Sequence, residues 1–500
     1  MAGKFATVES VITEEAELLT FVNIRHISSL GCLVVLASLP LSLSFQQTVA
    51  YPEHNITTDS NVPLPRVITY GNSDIPFTVN GSMALDEDIL LESAVNPFLY
   101  GNGTDITFDV FCPTGNCTWD SFESLAVCGS CTDVSYLLTY ACISAPGDWL
   151  SNVTTVAVDL AGLPPVQACG YYINATEDRP FLMTGFENGA NGPGEALSMR
   201  LLPLTDTITR TPLYGTGSIK YNTIRNPIAD FIVAGTAGDS SNVYTNSSPV
   251  ANECVLHWCT QTFTPTYEWG QINENPSNVF YDSGQQVNPW QSFRTSSGAI
   301  GAEYIANFSL TPPIQHPPSP VITYGLSNTT ALQVLFLFDA ILPSYLTSNV
   351  TTSQSFRYFN TLDDEGPRVR SFTFNPWLPP NNVSAHIGRL ANAMTHSLRV
   401  NSNETNIIFG KAYVQQTFVK VRWGWVSLPV FLLIMSFIFL VATIAKSTSE
   451  QHEVGIWKNS ALAVLLNGLD EPLQRRVGPL RKMGDVRSVA SKWRVKIFPD

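Results

Sequence analysis

An uncharged run near the end of the chain is the feature that most constrains its fold. Residues 424–445 read GWVSLPVFLLIMSFIFLVATIA and include no Asp, Glu, Lys, Arg or His. A helix needs about 20 such residues to cross the hydrocarbon core of a bilayer. Trp423 and Trp425 at one end and Lys446 at the other match the aromatic and charged anchors of a membrane interface. We therefore predict a transmembrane helix over 424–445.

A second apolar run, ISSLGCLVVLASLPLSLSF, covers residues 27–45. We predict that it is a transmembrane helix or signal anchor. The alternative is a cleaved signal peptide, with the small residues 48–50 (Thr-Val-Ala) as its exit site. The preceding stretch is long and carries four glutamates, unlike the short basic start of a signal peptide, which favours a retained anchor.

These two runs divide the chain into five segments with unequal charge. Residues 46–425 carry 15 basic and 31 acidic groups, a net charge of −16, whereas residues 446–500 carry 10 and 6, a net charge of +4. Lys and Arg beside a span favour the cytoplasm. We predict a cytoplasmic segment (1–26), a lumenal or extracellular ectodomain (46–423) and a basic cytoplasmic tail (446–500). The acidic ectodomain argues against nucleic-acid binding.

Within the tail, residues 457–469 (WKNSALAVLLNGL) are apolar but too few to span a bilayer. With the basic residues that follow, they predict an interfacial helix on the inner leaflet, so membrane lipid is an expected partner. The alternatives are a helix that packs on a partner protein or a further membrane helix.

Eight cysteines lie between the two apolar runs, an even number that predicts four disulfides in an oxidising compartment. They are Cys112, Cys117, Cys128, Cys131, Cys142, Cys169, Cys254 and Cys259. The sequence does not fix their pairing; we favour bridges within the 112–131 block, and bridges that join Cys142 and Cys169 to Cys254 and Cys259. The spacing Cys128-x-x-Cys131 also leaves open a zinc site or a thiol–disulfide exchange motif.

The same segment contains twelve Asn-x-Ser/Thr sequons, which predict N-glycosylation. The candidates are Asn80, Asn102, Asn152, Asn174, Asn246, Asn307, Asn328, Asn349, Asn382 and Asn403. Two more are expected to be modified less, Asn55 because it is close to the first apolar run and Asn116 because it lies within the cysteine cluster.

The ectodomain has short apolar runs between turn-forming residues, which predict strands at 66–70, 105–111, 331–338 and 411–423. Apolar residues at helical spacing over 387–398 predict one amphipathic helix. The pentapeptide VITYG occurs at 67–71 and 321–325, and we interpret it as two similar strand ends rather than a duplicated domain. The expected fold is a membrane-anchored α+β protein, with a β-rich, disulfide-stapled ectodomain and a few helices between two transmembrane helices.

No catalytic, phosphate-binding or EF-hand motif of known spacing occurs in the sequence, so we expect no enzyme activity and no cofactor. Five histidines lie in the ectodomain, and none is spaced from another as metal ligands are. We interpret them as solvated or core residues.

Three stretches together closely resemble a known family. They are FQQTVAY (45–51), the cysteine box FCPTGNCTWDSFESLAVCGSCTDVS (111–135), and VRWGWVSLPVFLL with WKNSALAVLLNGL downstream. They resemble the fungal multi-spanning membrane proteins defined by domain of unknown function 3176. The resemblance implies a fungal integral membrane protein with a lumenal or extracellular domain, but no particular activity. Family members carry further spans before the FQQ element, so this chain would be an N-terminally shortened member.

We therefore expect a binding or sensing ectodomain at the plasma membrane or a secretory-pathway membrane, with a protein or glycan ligand. The alternatives are a membrane-tethered hydrolase or glycan-acting enzyme, and a structural protein linked to the cell wall. A pocket with convergent carboxylates or a Ser–His pair would favour an enzyme.

Overall fold

The computed structural model describes residues 29, 31–71, 77–79, 82–84, 88–104, 110–153, 163, 165–175, 180–205, 210–212, 217–283, 289–294, 300–313, 321–349, 352–359, 367–372, 374–401, 405–449 and 491. The chain forms two compact units, Met1–Ile56 with Gln415–Asp500, and Thr57–Val414. The predicted cytoplasmic segment 1–26 and the predicted tail helix 457–469 lie outside the described residues.

The first unit contains one helix long and apolar enough to cross a membrane, as far as the described residues extend, and it covers Trp423–Thr448. It begins with a 3₁₀ turn, Trp423–Val426, and continues as α7, Ser427–Ser449. Most of its large apolar side chains are exposed, as the lipid-facing side chains of a span must be. The helix predicted over 424–445 is therefore confirmed and is slightly longer.

The first apolar run forms two helices, α1 (Gly31–Ser38) and α2 (Leu41–Thr48), which meet at a bend of 45°. Pro40 lies between them and has no N–H to continue the helical hydrogen bonds, which explains the break in the single helix that we predicted. Strand β1 (Val49–Ala50) follows α2 and pairs antiparallel with β25 (Lys420–Val421). The two apolar segments thus adjoin the same end of this strand pair.

The second unit is built mainly of strands, which confirms that the segment between the two apolar runs is β-rich. The strands that remain are β2 (Glu53–Val67), β3 (Thr69–Tyr70), β4 (Phe77–Val79), β5 (Ser82–Ala84), β6 (Asn116–Thr118), β7 (Phe122–Asp133), β8 (Thr139–Pro146), β9 (Pro165–Ile173), β10 (Phe181–Gly189), β11 (Gly192–Pro203), β12 (Ala229–Gly235), β13 (Val250–Phe263), β14 (Thr266–Glu268), β15 (Gln271–Asn273), β16 (Asn278–Phe280), β17 (Trp290–Arg294), β18 (Ile300–Tyr304), β19 (Phe308–Leu310), β20 (Tyr324–Leu326), β21 (Ser344–Ser348), β22 (Ser355–Tyr358), β23 (Arg368–Arg370) and β24 (Thr405–Thr417). The helices are α3 (Ile89–Leu99), α4 (Ser240–Tyr244), α5 (Asn328–Asp339) and α6 (Val383–Asn401).

The largest sheet has 11 strands and the path β16-β13-β12-β11-β10-β9-β8. Three further strands extend it beside β11, in the order β21-β22-β23, and β7 pairs with β13. A five-stranded sheet has the order β15-β14-β6-β24-β2, and a three-stranded sheet the order β19-β20-β3. The hairpins β17–β18 and β4–β5 complete the pairing.

Helix α6 packs its apolar stripe into the main core, as predicted. Ile387, Leu390 and Met394 on that stripe are fully buried. Thr395 on the same helix accepts a hydrogen bond from the backbone N–H of Val127 on β7, at 3.0 Å, and its Oγ1 lies 3.1 Å from the Val127 carbonyl oxygen. Helix and sheet are therefore joined by both apolar and polar contacts.

The strand predicted over 331–338 is wrong, because these residues belong to α5. Ser327 caps this helix by accepting a hydrogen bond from the Thr330 N–H at 3.2 Å. Ala331, Val334 and Phe338 are buried on one side, at a spacing that fits a helix. A short apolar run does not distinguish a buried helix from a buried strand by itself. Of the strand predicted over 105–111, residues 105–109 lie outside the described part of the chain.

The two VITYG copies lie side by side. Strands β3 and β20 pair in parallel, with Gly325 opposite Thr69, and the Gly325 N–H donates to the Ile68 carbonyl oxygen at 3.0 Å. A Cβ atom at Gly325 would lie 2.2 Å from the Phe308 carbonyl oxygen, so only glycine fits there. The repeat thus supplies two neighbouring strands of one sheet, in accord with its interpretation as two strand ends.

Candidate functional site

All eight predicted cysteines are paired. The bridges are Cys112–Cys117, Cys128–Cys259, Cys131–Cys254 and Cys142–Cys169. The predicted bridges within the 112–131 block were correct for Cys112–Cys117 and wrong for Cys128 and Cys131, which bond to Cys259 and Cys254. The predicted connection of Cys142 and Cys169 to Cys254 and Cys259 was wrong.

Strand pairing explains the observed connectivity. Strands β7 and β13 pair antiparallel over twelve residues and place Cys131 directly opposite Cys254. Strands β8 and β9 place Cys142 opposite Cys169 in the same way. Because Cys128 and Cys131 each bond to β13 instead of to each other or to a metal, the zinc and thiol-exchange alternatives fail.

The described sequons are mostly accessible. Exposed asparagines are Asn55, Asn102, Asn152, Asn246, Asn307, Asn349 and Asn382, and half-buried ones are Asn116, Asn174 and Asn328. Asn80 and Asn403 lie outside the described residues. Nδ2 of Asn328, the atom that would carry a sugar, donates to the Tyr304 carbonyl oxygen at 3.2 Å and is therefore the least suited of this set. Glycosylation itself stays a prediction.

Of the five histidines interpreted as solvated or core residues, His386 and His257 are buried and lie against backbone carbonyls. Nε2 of His386 is 2.8 Å from the Phe98 oxygen, and Nδ1 of His257 is 3.2 Å from the Trp258 oxygen. Burial lowers the pKa of both imidazoles and that of His396, which favours their neutral forms. Within the described part of the chain, no three His, Cys, Asp or Glu residues are placed to hold a metal ion.

A cavity of about 370 Å³ lies in the second unit, at the end of the largest sheet where β12 begins. Its walls come from this strand end, from the C-terminal half of α5, and from the β17–β18 hairpin. Ligand pockets have volumes of roughly 300–1,000 Å³, so this cavity is at the small end of that range. It is the candidate functional site.

A buried ion pair lines the cavity. Arg210 forms a bidentate pair with Asp339 at the end of α5, and the two side chains are 11% and 8% exposed. The Arg210 guanidinium also lies 4.4 Å from the centre of the Trp290 ring. Trp290 is opposite Tyr304 in the β17–β18 register, and their rings meet edge to face at 4.9 Å. Arginine, carboxylate and two aromatic rings thus form one charge-balanced wall.

Among the polar side chains on this wall, the Tyr304 hydroxyl and the Asn226 carboxamide have no hydrogen-bond partner in the described residues. Burial raises the pKa of Tyr304 to about 12, so its hydroxyl keeps its proton and can donate. Asn226 and Arg210 both have left-handed backbone conformations, with φ of 47° and 56°. Such conformations cost energy in non-glycine residues and concentrate at functional sites.

Asp230 also borders the cavity, but its carboxyl belongs to a different cluster. Along β12, Phe231 packs in the main core and Ile232 in a second core on the opposite face, so strand alternation directs Asp230 to the second face. There it is hydrogen-bonded to Ser218 and lies near Glu253; burial and the negative charge of Glu253 raise the pKa of Asp230 to about 7. Its Oδ1 atom is buried and has no partner among the described residues.

The sequence did not single out any of these cavity residues. Arg210 and Asp339 are 129 positions apart, and no motif connects them. One signal was available, because Asp339 is a charged residue directly after the apolar run 331–338. The cavity residues converge only through the packing of α5 and the β17–β18 hairpin on the sheet.

Comparisons with protein-family models, with curated proteins and with solved structures each found no match. The resemblance to the family of domain of unknown function 3176, and the fungal origin that it implies, therefore stay predictions.

Proposed function

We propose that this protein is a membrane-anchored binding protein whose ectodomain takes a small polar ligand into the cavity beside β12. The observation that carries the proposal is the Tyr304 hydroxyl, which has no partner among the described residues and belongs to a residue on the cavity wall that is 6% exposed. The Tyr304 hydroxyl is not among the fully buried side-chain atoms that lack a partner in the described residues, so it is open to the cavity, where it can bond to a ligand.

The proposal includes two membrane spans, with α1 and α2 as one bent span. Both apolar segments adjoin the same end of the β1–β25 pair, as two neighbouring spans would. A Cβ atom at Gly31 would lie 2.9 Å from the Phe439 ring, so glycine permits α1 and α7 to pack closely.

A lumenal or extracellular position of the ectodomain is supported by the four disulfides and by the basic residues after Lys446. The experiment is protease protection of full-length protein tagged at both ends, with and without glycosidase. We expect both tags to be cut from the cytoplasmic side and the ectodomain to lose mass on deglycosylation. A tag cut only from the outside would refute the topology.

Ligand binding is testable in the full chain in nanodiscs by thermal shift against a chemically diverse small-molecule library. Leu335→Trp would fill the cavity from α5 and abolish the shift that a binding compound produces. Leu332→Trp, one turn earlier on the same helix and outside the cavity lining, is the matched control. Equal shifts in both variants, or no compound that stabilises the unmodified chain, would refute a ligand site here.

A hydrolase is the second candidate function, and the raised pKa of Asp230 is the observation that favours it. A carboxyl group that titrates near pH 7 can act as a general acid. Its direction toward the second face of β12, away from Asp339, supports binding over hydrolysis, because the two carboxyls do not converge. Turnover of glycoside or ester substrates that Asp230→Asn abolishes would establish the hydrolase.

A further inference from the structure

The charges that the described residues bring to the cavity wall largely cancel. Among these residues the lining includes three charged side chains, of which Arg210 and Asp339 neutralise each other in a bidentate pair. The third, Asp230, is directed to the opposite face of β12 and hydrogen-bonded to Ser218. A charged ligand would therefore lose its water without gaining a counter-charge, which is costly. A neutral ligand avoids this cost.

The wall is nevertheless rich in hydrogen-bonding capacity. The Tyr304 hydroxyl can donate and accept, the Asn226 carboxamide can do both, and each oxygen of the Asp339 carboxylate can accept more than one hydrogen bond. Groups that donate and accept in the lining of one cavity suit a ligand with several hydroxyl groups, because each hydroxyl also does both.

The lining also has apolar side chains. Leu335, Phe338 and Leu342 belong to it, as does Trp290, whose ring lies against the Arg210 guanidinium. A ring with hydroxyls on its edge and C–H groups on its faces is complementary to both parts. The volume of about 370 Å³ restricts the ligand to a small one.

We infer that the cavity binds a neutral polyhydroxylated ring, that is, a monosaccharide or the terminal sugar of a glycan. This inference rests on the proposed function and specifies its ligand class. Tyr304 and Asn226 hold the hydroxyls, and the Arg210–Asp339 pair gives further donors and acceptors without net charge.

The test is calorimetric titration of the full chain in nanodiscs with sugars of one ring type and different charge. The neutral arm uses hexoses and N-acetylhexosamines, the cationic arm glucosamine, and the anionic arm glucuronic acid. Trisaccharides form a further arm that separates the end of a glycan from a free sugar. We expect at least one neutral sugar to bind, and Tyr304→Phe to weaken it about 5- to 10-fold through loss of one buried hydrogen bond. Tyr324→Phe, a buried tyrosine outside the cavity, is the matched control and should leave affinity unchanged.

If only glucosamine or glucuronic acid binds, the inference that the ligand is neutral is wrong, whereas the proposal that the cavity binds a ligand stands. Failure of every sugar, while a library compound binds in a Leu335→Trp-sensitive way, would also overturn this inference and leave the proposed function. If a neutral sugar binds equally well to Tyr304→Phe and to the unmodified chain, its site is elsewhere and the inference fails.

Discussion

The β7–β13 strand pair and the cavity wall belong to the same unit but differ in whether their polar groups have hydrogen-bond partners. On β7, the backbone of Val127 exchanges hydrogen bonds with Thr395, and two disulfides tie the strand to β13. On the cavity wall, the Tyr304 hydroxyl and the Asn226 side chain have no partner among the described residues. The first region uses its interactions for stability, whereas the second keeps some of them available, which is the basis of the proposed binding site.

The largest expected effect comes from removing the two disulfides that join β7 to β13. Cys128–Cys259 and Cys131–Cys254 close loops with sequence separations of 131 and 123. Replacing all four cysteines with serine should lower the free energy of unfolding by about 5 kcal/mol, since both loops open in the unfolded chain. Replacing only one pair should cost much less, because the other bridge keeps nearly the same loop closed.

Urea unfolding of the full chain in nanodiscs measures both effects. The control is removal of Cys112–Cys117, whose separation of 5 predicts a cost of about 2 kcal/mol. Equal losses from one long-range bridge and from both would contradict the shared-loop interpretation.

Asp230→Asn tests the cluster of Asp230, Ser218 and Glu253 through the pH dependence of stability. In the folded chain the pKa of Asp230 is about 7, above its ordinary value of 3.8, so ionisation of this carboxyl opposes folding. The stability that its protonated form contributes is therefore lost as pH rises from about 4 to about 7. The asparagine variant lacks this loss. Its stability relative to the unmodified chain should increase over that interval, by roughly 2–4 kcal/mol. If the difference in stability between the two chains does not change with pH, the pKa of Asp230 is not raised as described.

Two tyrosines give the most direct comparison between a hydroxyl with a hydrogen-bond partner and one without a partner among the described residues. Tyr70 donates to the buried Asp88 carboxylate at 2.6 Å, so Tyr70→Phe should cost about 2 kcal/mol. Tyr304→Phe removes a hydroxyl that has no partner among the described residues and should change stability by less than about 0.5 kcal/mol. Thermal unfolding of the two variants side by side measures the contrast. Equal losses would mean that the Tyr304 hydroxyl is engaged within the fold.

The smallest effect is expected from the buried histidines. Their lowered pKa values mean that the unfolded chain binds protons more readily, so stability is fully present above about pH 6.5 and falls as pH decreases below it. Each proton contributes at most about 1.4 kcal/mol per pH unit. Unfolding between pH 7.5 and 5 measures the slope, and His386→Gln should reduce it. An unchanged slope in that variant would remove His386 from the explanation.

The resemblance to a known family and the search for motifs did not lead to the cavity. The apolar stripe of α6 could be predicted because its 3.6-residue period is visible within one short segment of the sequence. The same period predicted which face of the helix is buried. The run 331–338 has no such unambiguous period, and its strand assignment failed. The pairing of Cys131 with Cys254 depended on the register of two strands that are more than one hundred residues apart, which no local pattern contains.

The sequence by itself determined the apolar helix at 424–445, the number of disulfide-forming cysteines and the acidic character of residues 46–425. These follow from composition and local spacing, because the length of an apolar run and the count of cysteines are properties of the chain. The tertiary structure alone decided which cysteines meet and that Arg210, Asp339, Trp290 and Tyr304 share one cavity. Long-range strand register and helix packing set those neighbours, since residues from distant segments meet only when their elements bury a common core.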